Sequence, residues 1–155
     1  MKQKSYFGRF KRNKKAQPPP KWVIKELNSA DYFLMPILLD DNHWSLVFID
    51  TIKQKLTNLD SYYEPSQLVL DQIKNHFNNL LPKLNNLINW NSTEYKVPKQ
   101  NNVTDCGVYL CLYSRYLCTK KKKFDFSQDH IPNLRKHIES EIRAGEIIKI
   151  DKPYF

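Results

Sequence analysis

The chain has 155 residues, of which 41% are hydrophobic and 13% aromatic, and this composition indicates one globular domain rather than a disordered chain. No apolar run reaches the roughly 18 residues that a membrane span needs, so no membrane partner is expected. The net charge of +9 is concentrated at one end, because residues 1–21 contain eight Lys and Arg residues and no acidic residue, whereas the rest holds 17 basic and 16 acidic residues.

This charge distribution predicts two parts, a basic N-terminal arm or linker over residues 1–21 and a nearly neutral domain over residues 22–155. The arm is either a nuclear-localisation or acidic-partner patch or a solvated tail. Because the domain is nearly neutral, nucleic-acid binding is not expected outside the arm. The three cysteines lie within one short segment, which favours a reducing compartment. We therefore expect an intracellular protein, nuclear, cytoplasmic or both.

The first half of the chain predicts strands. The apolar run Tyr32–Leu39 predicts a buried strand, in which Pro36 indicates an irregularity or a sheet edge. The clearest strand is His43–Asp50, and a short turn leads from it to a second strand, Lys55–Asp60, which we expect to pair with it as an antiparallel hairpin. Three residues of the clearest strand would share one face: Trp44, Leu46 and Phe48.

The second half predicts helices around these strands, hence an α+β class. We expect a helix over Gln67–Leu81, a short strand over Thr93–Val97, a buried central helix over Asp105–Cys118 and an amphipathic helix over Ser127–Arg143 that Gly145 ends. The apolar members of the first helix would be Leu68, Ile73, Phe77, Leu80 and Leu81, and those of the last Ile131, Leu134, Ile138 and Ile142.

Cys106 is the strongest candidate for a reactive group. It follows Thr104 and Asp105, either of which can cap a helix, so we expect it in the first turn of the central helix. The helix dipole and the free backbone N–H groups there favour the thiolate, which is the nucleophilic form. Gly107 would allow the backbone or a substrate to approach closely. For a cysteine taken alone, however, a buried structural role is the commoner one.

A cysteine nucleophile needs a base, and His43 is the best placed of the four histidines, since it opens a strand at a sheet end where a cleft can form. In a hairpin the start of the first strand lies beside the end of the second, so Asp60 can orient the imidazole. Gln100 could donate a side-chain N–H to a tetrahedral oxyanion, or it is an exposed loop residue. The remaining histidines are expected on solvated helix surfaces or caps: His76, His130 and His137.

No metal or cofactor site is expected. The cysteines contain no Cys-x-x-Cys pair, and their spacings of five and seven residues fit no common zinc motif. We expect Cys111 and Cys118 to be small buried core residues. The chemistry that these residues can support is covalent catalysis by a thiol.

Three segments together resemble the ubiquitin-like-protease family, the SUMO-type deconjugating cysteine peptidases. The segments are His43-Trp44-Ser45-Leu46, Leu59-Asp60-Ser61-Tyr62 and residues 100–108 (QNNVTDCGV). The spacing of 17 residues from His43 to Asp60 and that of six from Gln100 to Cys106 are those expected of the family. Cys111 and the C-terminal amphipathic helix also resemble it, so the match covers roughly residues 22–145.

The resemblance implies an adenain-like, papain-type fold, with a central mixed or antiparallel sheet flanked by helices and the nucleophile at the start of the central helix. It implies a cysteine peptidase or isopeptidase that cleaves after the C-terminal Gly-Gly of a ubiquitin-like modifier, above all a SUMO-like one, with the modifier and its conjugates as partners and no cofactor. It assigns His43 as base and acid, Asp60 as its orienting carboxylate, Cys106 as nucleophile and Gln100 as oxyanion donor. Trp44 would line the tunnel that holds the Gly-Gly tail, or it is a core tryptophan of the strand.

One departure concerns the region that grips the modifier. Family members usually carry an upstream Trp-Leu-Asn/Asp-Asp segment, and nothing before Trp22, which resembles a different, structural tryptophan, matches it. We therefore expect a fragment, a truncated product or a minimal family member. The alternatives are a modifier-binding module with weak catalysis, or a viral- or effector-type peptidase or acetyltransferase with the same His-Asp-Cys site.

Overall fold

The computed structural model describes residues 21, 25, 28–78, 84–93, 95–119 and 123–149, so the basic arm before residue 21 and Trp22 lie outside the described residues. Two short 3-10 helices, Leu87–Asn89 and Gln128–His130, accompany the longer elements. The strands and α-helices are β1 (Tyr32–Leu39), β2 (His43–Asp50), β3 (Lys55–Leu59), α1 (Gln67–Phe77), β4 (Asn91–Ser92), α2 (Cys106–Cys118) and α3 (Ile131–Ala144).

The strands form one mixed sheet in the order β1-β2-β3-β4, with antiparallel pairs β1-β2 and β2-β3 and a parallel pair β3-β4. The predicted hairpin is therefore confirmed. In its register Leu46 lies opposite Leu59, so the next residue, Asp60, comes beside the beginning of β2. The turn before β2 contains Asp40 and Asp41 with φ of 50° and 60°, a left-handed conformation that aspartate tolerates better than most residues.

The strand β2 is covered on both faces because its alternate residues enter two separate core clusters. Leu46 and Phe48 pack on the side of α2 and α3, while Val47 and Ile49 pack on the side of α1. The first cluster adds Val108, Tyr109 and Leu112 from α2 and Ile131 and Leu134 from α3, and the second adds Leu70 and Ile73 from α1. The predicted α+β class, a mixed sheet flanked by helices, is confirmed.

The helix α1 is shorter than the sequence predicted. It ends at Phe77 because Asn78, with ψ of 125°, leaves the helical conformation while its N–H still donates to the Lys74 carbonyl. Leu68 is half-exposed, and Leu70 is the buried residue of that turn. The predicted members Leu80 and Leu81 lie outside the described residues.

The strand predicted over Thr93–Val97 is wrong. The strand that pairs with β3 is the two-residue β4, and the Thr93 N–H donates to the Leu56 carbonyl as the chain leaves the sheet. Beyond it the Pro98 carbonyl accepts a hydrogen bond from the Tyr113 hydroxyl of α2, at 2.5 Å. A backbone group that bonds to a helix side chain has no need of a neighbouring strand.

The last helix has two corrections. It begins at Ile131, after the 3-10 turn Gln128–His130, and not at Ser127. Ile142, placed by sequence on the apolar stripe, is 76% exposed, because the inward position of that turn is taken by the buried Glu141, which pairs with Arg115 of α2. Gly145 does end the helix, with the left-handed φ of 71° that glycine adopts without strain.

Candidate active site

His43 and Asp60 form a buried pair at the open end of the β2–β3 hairpin, away from its turn. The His43 Nε2 lies 2.9 Å from Asp60 Oδ1 and 3.0 Å from Oδ2. A carboxylate only accepts hydrogen bonds, so Nε2 carries the proton and Nδ1 is left as an acceptor. Asp60 Oδ1 also accepts the backbone N–H groups of Tyr62 and Tyr63, each at 2.8 Å, which fix the carboxylate in place.

Cys106 is the first residue of α2 and is buried. A Cβ placed at Gly107 would lie 3.8 Å from Trp44 Cδ1, so the start of α2 packs against the residue that follows His43. The structure thus brings Cys106 to the same end of the sheet as the His43–Asp60 pair. The N–H groups of the first helical turn have no partner within the helix and point to this end.

Trp44 is 41% exposed, so the alternative of a core tryptophan is wrong. Its place beside the beginning of α2 puts an apolar ring at the surface next to Cys106. That Trp44 lines a tunnel for the Gly-Gly tail stays a prediction.

Gln100 is buried rather than exposed, because three hydrogen bonds hold it. Its backbone N–H donates to the Ser61 carbonyl at 2.7 Å. Its side-chain Oε1 accepts from the Ser61 hydroxyl and its Nε2 donates to the Asn102 carbonyl, both at 2.5 Å. The amide that the sequence singled out is therefore fixed in orientation, and the exposed-loop alternative is wrong.

Asp105, directly before the cysteine, anchors the loop to the rest of the fold. Its carboxylate accepts from Asn102 Nδ2 at 2.6 Å, from Gln128 Nε2 at 2.8 Å and from Arg135 Nη2 of α3. Burial raises the pKa of Asp105, but these hydrogen bonds and the Arg135 charge outweigh burial, so the net pKa lies below the usual value.

The site contains residues that the sequence reasoning did not identify. Ser61, which the sequence marks only as part of a motif, holds Gln100. Lys99 Nζ donates to the Asp60 carbonyl at 3.0 Å. The half-exposed rings of Tyr62 and Tyr63 flank His43, with centroid distances of 6.3 and 5.2 Å. Their only sequence signal was position, because they directly follow Asp60.

The other candidate groups lie apart from this pair. Cys111 and Cys118 are exposed, which corrects the prediction that they are buried: seven residues apart on α2, they share a face turned from the sheet. Partial burial still raises the pKa of Cys111. His76 is exposed and His130 caps the 3-10 turn, as predicted, whereas His137 is held by Glu141 at 3.2 Å.

Two features of the described residues bear on metal and membrane binding. They contain no group of three or more His, Cys, Asp or Glu side chains arranged to bind a metal ion. None of their helices is long and apolar enough to cross a membrane.

Comparison with known proteins identifies the family. The family described as Ulp1 protease family, C-terminal catalytic domain, matches residues 1–146. The chain belongs to the Ulp1 protease family. Human sentrin-specific protease 2 is 34% identical over 117 residues, which is 68% of this chain, and human sentrin-specific protease 5 is 28% identical over 143 residues, or 89% of it. The chain spans 19% of the length of each of these relatives.

Solved structures of Ulp1 proteases share the fold. The C-terminal Ulp1 protease domain in complex with Smt3, the yeast ortholog of SUMO, superposes with a TM-score of 0.67 at 22% identity, over 79% of this chain and 58% of that one. The Ulp1-like SUMO protease catalytic domain of Chaetomium thermophilum superposes with the same TM-score and identity, over 77% of this chain and 48% of that one. The adenain-like fold expected from the resemblance is confirmed.

Proposed function

We propose that this chain is the catalytic domain of a cysteine isopeptidase that cleaves after the C-terminal Gly-Gly of a ubiquitin-like modifier, in processing or deconjugation. The observation that carries the proposal is the buried His43–Asp60 pair, with contacts of 2.9 and 3.0 Å, at the sheet end where α2 begins with Cys106. A thiol at a helix N-terminus beside an imidazole oriented by a carboxylate is the arrangement that nucleophilic catalysis needs.

In this proposal the reaction is acyl transfer through Cys106. His43 Nδ1 takes the thiol proton, and the sulfur attacks the carbonyl carbon of the last glycine to form a tetrahedral oxyanion. When the carbon–nitrogen bond breaks, His43 returns the proton to the leaving lysine amine. Water, deprotonated by His43, then attacks the thioester, which releases the modifier and restores the thiol.

The oxyanion would be held by two kinds of donor. The first-turn N–H groups of α2 are fixed in the backbone, so they need no rearrangement as the charge develops. The Gln100 amide is the second donor. Its bond to the Asn102 carbonyl uses one of its two N–H groups, and within the described residues that carbonyl is its one acceptor.

A SUMO-like modifier is the proposed substrate. The supporting facts are the family membership, the similarity to sentrin-specific proteases and the likeness to a Ulp1 domain whose structure contains Smt3. The exposed ring of Trp44 offers an apolar wall beside Cys106 for a tail without side chains. A nuclear or cytoplasmic location is part of the proposal, and the three free thiols support it.

The test is labelling by modifiers that carry a C-terminal electrophile. A panel built on SUMO, ubiquitin and related modifiers is incubated with the wild type, with Cys106→Ala and with Cys106→Ser, and adducts are counted by intact-protein mass. We expect the SUMO probe to label the wild type at Cys106 and neither variant, and turnover of a SUMO conjugate to fall to background in both.

The matched controls are Cys111→Ala and Cys118→Ala, because both thiols lie on α2 and are exposed. We expect both controls to be labelled and active like the wild type. Labelling that persists in Cys106→Ala would contradict the assignment of the nucleophile. A wild type that binds SUMO without labelling would instead indicate a modifier-binding module.

A further inference from the structure

Ser61 is buried between the two halves of the candidate site. It follows Asp60 directly and is 1% exposed. Its carbonyl accepts the Gln100 backbone N–H at 2.7 Å, and its hydroxyl bonds to the Gln100 side chain at 2.5 Å. One serine thus holds both the backbone and the side chain of a residue 39 positions away.

The direction of these bonds follows from chemistry. The Asn102 carbonyl can only accept, so the end of the Gln100 amide that faces it is Nε2. The opposite end is therefore Oε1, and the Ser61 hydroxyl must be the donor to it. Without that hydroxyl the buried amide oxygen would lose its donor, and such an oxygen is costly to leave unpaired. The side chain would then turn toward water, which would move Nε2.

The same short segment also fixes the general base. The Asp60 carboxylate binds His43, while its carbonyl accepts from Lys99 Nζ at 3.0 Å. Residues 60 and 61 therefore bind residues 99 and 100 through three separate bonds and hold the loop that leads to Cys106. Asp60 and Ser61, which directly follow β3, thus connect the His43 imidazole to the Gln100 amide across the site.

We propose that Ser61 is a positioning residue of the reaction, holding the Gln100 amide where it can donate to the oxyanion. This inference rests on the proposed function, and it adds a residue that acts through Gln100 without touching the substrate. Because the interaction strengthens only as the oxyanion forms, its loss should lower kcat and leave KM nearly unchanged.

The experiment is a double-variant cycle on hydrolysis of a fluorogenic SUMO C-terminal amide. We expect Gln100→Ala to lower kcat about 100-fold, as for loss of one oxyanion donor, and Ser61→Ala about 10-fold, with KM within about twofold of the wild type. In the Gln100→Ala background, Ser61→Ala should lower kcat by less than about twofold, because the amide that Ser61 holds is already absent. The control is Ser140→Ala, because the Ser140 hydroxyl bonds within the described residues to the Lys136 carbonyl of its own helix, and we expect its kcat and KM to equal those of the wild type.

Two results would overturn the inference: a Ser61→Ala variant with wild-type kcat, or full additivity of the two substitutions. Thermal unfolding of each variant shows whether a loss of rate comes from unfolded protein. A second measurement does not depend on turnover. In Cys106→Ala, the Gln100 side-chain amide resonances, assigned by their loss in Gln100→Ala, should shift when Ser61→Ala is added. A wild type without turnover contradicts the proposed function, whereas unshifted amide resonances contradict the role of Ser61.

Discussion

At the scale of single residues, the tautomer of His43 decides whether the site can work. The Asp60 carboxylate accepts from Nε2 and leaves Nδ1 to take a proton from a thiol. An amide at position 60 could donate to Nε2 and so stabilise the opposite tautomer. The side chains would keep their positions, but Nδ1 would already carry a proton and could not accept one from the thiol.

We therefore expect Asp60→Asn to lower kcat/KM by about 10³- to 10⁴-fold, as for wrong-tautomer variants of catalytic triads. The measurement is steady-state hydrolysis of the SUMO amide. Asp50→Asn is the matched control, since Asp50 is a buried aspartate at the opposite end of β2 that bonds to the Lys53 N–H. Activity of Asp60→Asn within about threefold of the wild type would disprove the orienting role.

The predicted site residues were accessible from sequence because each belongs to a local pattern. Cys106 follows Asp105, which takes the N-cap position of α2 although its side chain makes no capping hydrogen bond, and the hairpin places Asp60 near His43. Ser61 and Asn102 were not accessible in this way. A serine or asparagine in a loop is usually solvated, and only the fold shows that the Ser61 hydroxyl is buried against a residue far along the chain.

At the scale of elements, Asp105 connects the loop before Cys106 to α3. Arg135 of α3 and Gln128 of the 3-10 turn before it both donate to Asp105 at the start of α2. The side chain of Gln128 also accepts the Asn101 N–H at 3.1 Å, so this one residue holds both Asn101 and Asp105 of the loop. Movement of α3 would therefore be transmitted to the position of Cys106.

The lowered pKa of Asp105 makes this support sensitive to acid. The stabilisation that the Asp105 carboxylate gives the fold is complete above its unfolded-state pKa of 3.8. It is lost as the pH falls through the lower folded-state pKa. We expect the free energy of unfolding of the wild type to exceed that of Asp105→Asn at pH 7, and the difference to shrink below pH 3.8.

Urea denaturation at a series of pH values measures this difference. Arg135→Ala should lose part of the unfolding free energy that Asp105→Asn loses at pH 7, because Asn102 and Gln128 would still donate to the carboxylate. A difference between the wild type and Asp105→Asn that stays constant from pH 7 to below 3.8 would contradict the assigned cause.

The hairpin strands and the largely apolar segments were predicted well, whereas the end of α1, the beginning of α3 and the strand β4, which tertiary contacts determine, were not. The strands β1, β2 and β3 and the helix α2 lie within a residue of their predicted bounds. The strand β4 is two residues long and has no period to detect. The exposed Ile142 shows that an ion pair can take the inward position of a helix turn in place of an apolar residue, since the buried residue of that turn is Glu141.

At the scale of the whole molecule, the central strand β2 is covered on both faces while the sheet ends at β1. Among the described residues, β1 pairs with β2 alone. An edge strand of eight residues with a mostly apolar sequence is a template on which another chain can add a strand. Tyr32 and Leu38, each almost half-exposed, add apolar surface along this edge.

Pro36 lies in the middle of that edge. The register of β1 with β2 runs through Pro36 without a break, opposite Leu46, as it can where a proline nitrogen faces the open side. A strand that tried to add there would find no N–H at the centre of the edge.

Pro36 should therefore keep the protein from associating in concentrated solution. We expect Pro36→Val to keep its activity per molecule but to scatter more light with rising concentration at 37 °C, and Leu38→Lys in the same chain to reverse this, because a charge at an edge opposes strand addition. A Pro36→Val variant that stays monomeric in light scattering would contradict this. A single imino acid, far from any chemistry, would then set the concentration at which the protein begins to self-associate.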